Sequence, residues 1–339
     1  MLQQVMRKNY LTGLRELKAS VHLLPDIQLE LDEVEKLMVA QAADYHPDLR
    51  NAVSVILQSG GKRIRPRIIL LIGSMLQAKP QPLVFLATAI EMLHTASLVH
   101  DDLIDGSLLR RGIPTLNSKW SPAATVLTGD FLFASASDMA ANTKSVEIMR
   151  LIARCLMTIV DGEINQLFAN RCISKAEDYY RRIYAKTASL FETSTHCAAI
   201  LSTTAEPEIE ALRKFGYELG MAFQVIDDIL DYTGEESTVG KPVGGDLRQG
   251  LITLPLLYYM ESHPDDPAVK SLYAGNGIQG EDEIQRLVRC TAESDAITRS
   301  HDAAVNFVLK AQENLSVFQD CPEREALLEI TRYIIERKK

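Results

Sequence analysis

Residues 82–105 read PLVFLATAIEMLHTASLVHDDLID. From Leu83 to Val99 nearly every position is apolar or small, and only Glu91 and His94 interrupt the run. A helix that is apolar on more than one face belongs inside a large bundle rather than on its surface. The same helical signal extends in both directions. Leu31, Val34, Leu37, Met38 and Gln41 keep a 3.6-residue stripe with Glu33, Glu35 and Lys36 opposite. Val53, Ile56 and Leu57 repeat it before the Gly60-Gly61 stop, and Pro66 suits the first turn of a helix through Ile68–Ile72. Helices are predicted at about 121–141, 145–170, 175–200 and 206–233, with shorter ones near 253–262, 281–292, 294–315 and 322–337. Breakers stand between them: Gly112-Ile113-Pro114, Ser121-Pro122, Glu206-Pro207 and the stretch 234–250. No strand alternation lasts more than a few residues. The expectation is one all-α domain over 1–339, a large helical bundle around a central cavity, with no dividing linker.

Composition narrows the function. The chain has 339 residues, with 36 Lys+Arg against 45 Asp+Glu, a net charge of −9. Its 46% hydrophobic and 24% charged content is that of a soluble globular protein. An acidic total argues against a nucleic-acid partner, which calls for a basic face. It leaves open a small anion held by a local cationic pocket or a bound cation. Cys155, Cys172, Cys197, Cys290 and Cys321 are odd in number, and no Cys-x-x-Cys pair occurs, so neither a disulfide framework nor a zinc ribbon is indicated. Met1 to Tyr10 lacks the apolar core of a signal peptide. No membrane span is expected, because Pro82 to Ile104 is interrupted by Glu91, His94, His100, Asp101 and Asp102. A cytoplasmic location with reduced thiols follows as the expectation.

Two pentads carry the chemistry: Asp101-Asp102-Leu103-Ile104-Asp105 and Asp227-Asp228-Ile229-Leu230-Asp231. Each ends an apolar helical run. Like charges at i,i+3 and i,i+4 weaken a helix by a few tenths of a kcal/mol per pair, and the C-terminal end of the macrodipole disfavours anions. A hard divalent cation compensates both costs. Carboxylates without a His or Cys set suit Mg²⁺, which keeps waters and completes its shell with substrate phosphate. An EF-hand calcium loop does not fit, since neither pentad spreads its oxygens along a loop with Gly at the sixth position. A His-Asp phosphohydrolase would need further histidines, so His100 reads as a wall or hydrogen-bonding residue.

Cations sit where phosphates would meet them. Gly60-Gly61-Lys62-Arg63-Ile64-Arg65-Pro66 joins two helices, and its glycines and the following helix start favour an anion. Arg110-Arg111-Gly112 follows the first pentad, with Asp105 as a simple salt-bridge alternative. Lys186-Thr187 and Lys241 complete the set.

These residues carry a resemblance to the trans-isoprenyl diphosphate synthases, the polyprenyl synthetase family. The matching blocks are GGKRIRP at Gly60–Pro66, His94–Asp105, RRGxPT from Arg110 to Thr115, Gly129-Asp130, Lys186-Thr187, Phe223-Gln224 with the second pentad, and GKPVGGDLRQGLITLP at Gly240–Pro255. They run in family order over about 45–260. The resemblance implies Asp101, Asp105 and Asp227 as direct Mg²⁺ ligands, with Asp102, Asp228 and Asp231 as ligands or their partners. It implies Arg110, Lys186 and Lys241 on the allylic diphosphate with Gln224 nearby. It places Lys62, Arg65, His94 and Arg111 on isopentenyl diphosphate. Three Mg²⁺ ions are expected with the allylic diphosphate bound. Many members carry a Lys where this chain has Leu251, and Arg248 is the candidate to supply that charge. An all-α bundle, usually a homodimer, is implied as well.

The expected reaction is ionisation of an allylic diphosphate and head-to-tail attack by isopentenyl diphosphate. Thr187 and Gln224 border the cation, and 234–250 is a candidate lid. Ala96 and Ser97, the fifth and fourth residues before Asp101, are small where aromatic residues close the product channel in short-chain members. A helical turn rises about 5.4 Å, near one isoprene unit, so an open channel points to products of about C30–C50. Met92, Leu93, Phe131 and Phe133 are candidates for its floor. The rivals are a geranylgeranyl or farnesyl diphosphate synthase, a regulatory or lipid-binding subunit, and the catalytic half of a heterodimer.

Overall fold

The computed structural model describes residues 25–58, 61–110, 112–168, 175–202, 205–234, 243–278 and 280–337. Gly60, Arg111, Cys172, Lys241 and part of the candidate lid (235–242) lie outside the described residues. The elements are α1 (Pro25–Ala40), α2 (Pro47–Gln58), α3 (Ile64–Met75), α4 (Pro80–Ile104), a two-stranded hairpin β1 (Leu109–Arg110) and β2 (Ile113–Pro114), α5 (Pro122–Ala141) and α6 (Val146–Phe168). After them come α7 (Ala176–Ile183), a π turn (Tyr184–Ala188), α8 (Ser189–Leu201), α9 (Glu206–Thr233), α10 (Gly245–Arg248), α11 (Leu254–Ser262), α12 (Pro267–Tyr273), α13 (Glu281–Ala292), α14 (Ala296–Leu315) and α15 (Pro322–Glu336). Among the described residues the chain is all-α apart from that hairpin.

The residues gather in two compact units. One comprises 1–154, 193–213 and 315–330, and the other 155–192, 214–314 and 331–339. Neither is a continuous stretch, so no linker between them could have been read from composition.

In the first unit, α3 and α4 form the core. Ile68, Ile69, Leu70, Leu71 and Ile72 are all buried, so α3 has no solvent face. Leu86, Ala87, Ile90 and Met92 of α4, Val34 and Met38 of α1, and Leu132 of α5 are equally buried. By length and composition α4 is long and apolar enough to cross a membrane, a point the charged interruptions had argued against. In the structure 72% of that apolar window is buried inside the protein, which identifies α4 as a core helix. It stops at Asp105, and Gly106 follows at φ 62, a left-handed position glycine adopts without strain. The next helix, α5, is set by its sequence: Pro122 fits the first turn, and Ser121 Oγ accepts the amide of Ala124 at 3.3 Å.

The second unit packs around Tyr179, Phe191, Phe215 and Val225, all buried, with Leu254, Leu256, Leu287 and Val308. Its α10 and α12 are too short to have given a periodic signal, although Asp266-Pro267 is a legible helix start. Asp266 accepts the Ala268 amide at 2.8 Å.

Candidate active site

The first pentad divides by burial. Asp102 is 7% exposed and accepts both bonds of a fork from Arg110 Nε, at 2.9 Å to each oxygen. The salt-bridge alternative for Arg110 therefore falls on Asp102, not on Asp105. Asp101 is half-buried and Asp105 exposed, so these two keep access from solvent at the last turn of α4. The Asn117 amide donates to the carbonyls of Asp102 and Ser107, at 3.2 and 3.1 Å, which fastens the helix end to the hairpin connection.

His100 lies between the pentad and α5. Its Nε2 is 3.1 Å from the Val126 carbonyl and 3.7 Å from Asp130 Oδ1, and its ring sits 5.4 Å from that of Phe133. A Cβ on Gly129 would stand 2.1 Å from His100 Nε2. The glycine of the Gly129-Asp130 block is there because the imidazole occupies its side-chain space. His100 is thus a wall residue in contact with α5.

One cleft of this unit is lined by Gly61, Arg63, Glu91, His94, Asp102 and Arg110 together with apolar residues of α2, α4 and the hairpin. Of the implied isopentenyl diphosphate set, His94 opens directly on it, Lys62 is half-buried beside Gly61, and Arg65 is 9% exposed. Along α4, Ala96 and Met92 are fully buried and Leu93 is 2% exposed. Ser97 is half-buried and turns its hydroxyl to the His94 carbonyl at 2.8 Å. Phe133 packs on His100 at the level of the pentad, and Phe131 packs edge-on against Tyr45 at 5.0 Å.

The second pentad divides the same way. Asp228 is 3% exposed, and Tyr179 Oη and Gln224 Nε2 donate to its two oxygens at 2.7 and 2.8 Å. The Thr187 hydroxyl donates in turn to Gln224 Oε1 at 2.5 Å. Thr187, Gln224, Asp228 and Tyr179 form one chain of hydrogen bonds. Asp231 accepts the amides of Gly245 and Asp246 at 3.0 and 3.1 Å. Asp227 stays partly open and pairs with Arg337, whose guanidinium lies 4.5 Å above the Phe223 ring.

Asp246 escaped the sequence reading, although it lies inside the Gly240–Pro255 block. Burial first, then the neighbouring Asp231, push its carboxyl up to about 7, while Lys186 and Arg182 moderate the rise. Burial, and next the charge of Asp246, raise Asp228 to about 8 against the hydrogen bonds from Gln224 and Tyr179. Burial is the larger cause of both shifts, and the neighbouring carboxylates add an electrostatic part to it. A divalent cation would relieve that part.

Lys186 and Thr187 lie on the π turn, where the continuous helix predicted over 175–200 widens by one residue. Such turns loosen the backbone ladder and collect at functional sites. Two glycines make room for it. A Cβ on Gly162 would stand 2.6 Å from Ala185 Cβ, and one on Gly220 would stand 2.6 Å from Ala188 Cα. Lys186 Nζ pairs with Glu163 Oε1 at 3.0 Å, one residue from Gly162. The cation expected to replace the missing Lys at Leu251 is committed elsewhere: Arg248 forks onto Glu281 at 2.6–3.1 Å and donates to the Val243 carbonyl.

The donor chemistry fits Mg²⁺. Among the described residues no three His, Cys, Asp or Glu side chains converge on a metal-sized point. In each unit the accessible carboxylates, Asp101 and Asp105 in the first and Asp227 in the second, suit an ion that takes one or two protein ligands and completes its shell with water and phosphate.

An all-helical protein with paired carboxylates at two helix ends, and cations set around them, belongs to the class that handles anionic substrates through divalent metal. The sequence profile of the family described as Polyprenyl synthetase matches residues 46–291. The chain is 38% identical over 321 residues to a prenyl transferase of Synechocystis, covering 92% of this chain and 95% of the relative. It is 36% identical over 311 residues to heptaprenyl diphosphate synthase component 2 of Bacillus subtilis, covering 91% and 88%. The solved polyprenyl synthase of Caulobacter crescentus, complexed with calcium and isoprenyl diphosphate, superposes with a TM-score of 0.85 at 32% identity, covering 96% of this chain and 98% of that one. The chain belongs to the polyprenyl synthetase family, and it is a prenyltransferase of the trans-polyprenyl diphosphate synthase type.

Proposed function

We propose that the chain elongates an allylic diphosphate with successive isopentenyl diphosphates, in the presence of Mg²⁺, to an all-trans product of about C30–C50, an isoprene unit occupying about one helical turn. The observation that carries this reading is the division within each pentad. Asp101, Asp105 and Asp227 stay accessible, while Asp102 and Asp228 are buried and tied to Arg110 and to Gln224 and Tyr179. The buried carboxylates tie down the backbone of each helix end from which the accessible ones project.

Asp101, Asp105 and Asp227 would hold the metal, which supplies positive charge to the departing diphosphate. Arg110, Lys186 and Lys241 add cationic charge on the same group, and Lys62, Arg65, His94 and Arg111 hold the isopentenyl diphosphate. The allylic C–O bond breaks and its electrons leave with the diphosphate. The isopentenyl double bond then forms the new C–C bond to the allylic carbon. A proton leaves the adjacent carbon for the released diphosphate, so no histidine base is required. The fixed Thr187 hydroxyl and Gln224 carbonyl oxygen border the cation, and apolar walls keep water from quenching it.

The small side chains of Ala96 and Ser97 support the longer product class, as does the heptaprenyl name of a relative that covers most of the chain. A homodimer in the cytoplasm is the companion expectation. Met157, Val160, Ile164 and Leu167 lie exposed at i, i+3, i+7 and i+10 of α6, an apolar stripe suited to a second copy. The word "component" in the Bacillus relative's name favours one second reading, a catalytic subunit that needs a separate partner chain. Incubating the purified chain with labelled isopentenyl diphosphate, geranyl diphosphate and Mg²⁺, with an EDTA control, tests both. Metal-dependent labelled product supports the first reading. No product until a partner chain is added supports the second, and no product in either case removes both.

A further inference from the structure

Arg63 is a residue in the wrong conformation for its type. It precedes α3 at φ 47 and ψ 39, in the left-handed region. A non-glycine residue there costs about 1–3 kcal/mol of strain and persists only where its surroundings enforce it. Its side chain is only 11% exposed, and each nitrogen of the guanidinium has a partner. Nη1 donates to Glu91 Oε1 at 2.8 Å, Nη2 to the Leu57 carbonyl at 3.0 Å, and Nε to Glu35 Oε1 at 3.4 Å. Glu91 is 6% exposed in the middle of apolar α4, between Ile90 and Met92.

A buried ion pair of this kind is a poor stabiliser. Apolar replacement of both partners is often neutral or favourable, whereas removal of one leaves a stranded charge. Stability alone therefore does not account for a strained arginine matched to a buried glutamate. What the pair does geometrically is join the last turn of α2, the middle of α4 and the start of α3 at one point. Lys62, whose carbonyl accepts Arg67 Nε at 3.0 Å, immediately precedes that point, and Arg65 follows two residues on in the first turn of α3. Three residues along α4 from Glu91, on the same face, is His94, and Gly61, Arg63, Glu91 and His94 line one cleft.

We infer that Arg63 and Glu91 are a positioning pair that sets Lys62, Arg65 and His94 for the diphosphate of isopentenyl diphosphate. The inference rests on the reading of those three residues given under Proposed function. Glu91 also cancels the charge of Arg63, so that Arg63 is not itself a phosphate ligand.

The test is steady-state kinetics on the full chain with Mg²⁺, each substrate varied while the other is saturating. Arg63→Gly keeps the left-handed backbone at no steric cost and deletes the pair. Glu91→Gln removes the buried charge and leaves the arginine only the more exposed Glu35, 3.4 Å from its Nε. Arg63→Met with Glu91→Leu removes both charges and keeps the volume. The expected result is a KM for isopentenyl diphosphate raised at least about tenfold in all three, a loss of about 1.4 kcal/mol of binding. The KM for the allylic substrate stays within about twofold, and the double variant melts no lower than the parent. A purely structural pair would lower the melting temperature and move neither KM selectively. Unchanged KM for isopentenyl diphosphate in the double variant, or tighter binding in Glu91→Gln because the freed arginine reaches the phosphate, overturns the inference. Lys62→Ala and Arg65→Ala run in parallel separate the two levels. If they raise the same KM and Arg63→Gly does not, the positioning role alone fails. If they leave it unchanged, the assignment of the site fails and takes the inference with it.

Discussion

Ala96→Phe tests the product channel. Ala96 lies five residues before Asp101 on continuous α4, so its Cα is about 7.5 Å along the axis from the first carboxylate at 1.5 Å per residue. That distance accommodates between one and two isoprene units beyond the reacting carbon. A phenyl ring projected there stops growth after about one or two condensations on geranyl diphosphate, at about C15–C20, between about a third and two-thirds of the parent length. The energetic side separates two explanations. Ala96 is fully buried. If it faces packed core, the added ring overfills the site and costs about 1–3 kcal/mol, occasionally more. If it faces the channel, the ring enters space that product would occupy, and the metal-free melting temperature stays near the parent value. The assay is reversed-phase chromatography of dephosphorylated products at matched turnover, with a thermal melt alongside. A shortened product with an unchanged melt is expected. An unchanged product distribution from a folded, active variant would refute the channel assignment.

Other consequences follow from the site. Asp102→Asn removes the charged acceptor of the Arg110 fork and is expected to lower stability by about 1–3 kcal/mol with little change in Mg²⁺ affinity. Asp101→Asn is expected to do the reverse, relieving like charge at the end of α4 by a few tenths of a kcal/mol while weakening Mg²⁺ binding more than about tenfold. Melts and metal titrations of both variants check this, and identical behaviour would contradict it. Asp228 at about 8 and Asp246 at about 7 hold protons in the folded chain that an unfolded chain releases near pH 4. Their contribution to metal-free stability is therefore full below about pH 4 and is lost as pH rises toward about 8. Melts of EDTA-treated protein from pH 5 to 9 should fall across that window, and a steady rise would contradict the assignment. Gly220→Ala puts a Cβ 2.6 Å from the backbone of Ala188, which has no side-chain freedom to yield. It should cost about 1–3 kcal/mol and lower kcat by shifting the π turn that carries Thr187. A parent-like kcat would separate the turn from the chemistry.

The helices were legible because burial imposes a 3.6-residue rhythm on the sequence. The run 82–105 and its neighbours at 121–141 and 206–233 match α4, α5 and α9 closely. The π turn was not legible. One extra residue in a turn barely alters apolar periodicity, and its signature lies in other helices, at Gly162 and Gly220. A lone glycine inside a helical pattern is a usable sign of close approach, and both were passed over. The pentads were visible as clusters of letters, but their inner division was not. Asp101 and Asp102 are the same residue type, and only Arg110, returning on the hairpin, distinguishes the accessible carboxylate from the buried one. Tyr179 and Arg337 meet the second pentad from distant points of the chain, so no local pattern announced them, whereas Asp246 stood inside the Gly240–Pro255 block and was passed over. Arg248 was judged by its charge, and the partner that occupies it, Glu281, is thirty-three residues away.

The measurement that bears most directly on the account is the chain length of the product made by the purified protein. Labelled isopentenyl diphosphate in excess over geranyl or farnesyl diphosphate, with Mg²⁺, should yield a metal-dependent all-trans series ending at about C30–C50, the length that an unplugged channel of several helical turns allows. Products that stop at C15 or C20 with isopentenyl diphosphate still in excess would contradict it.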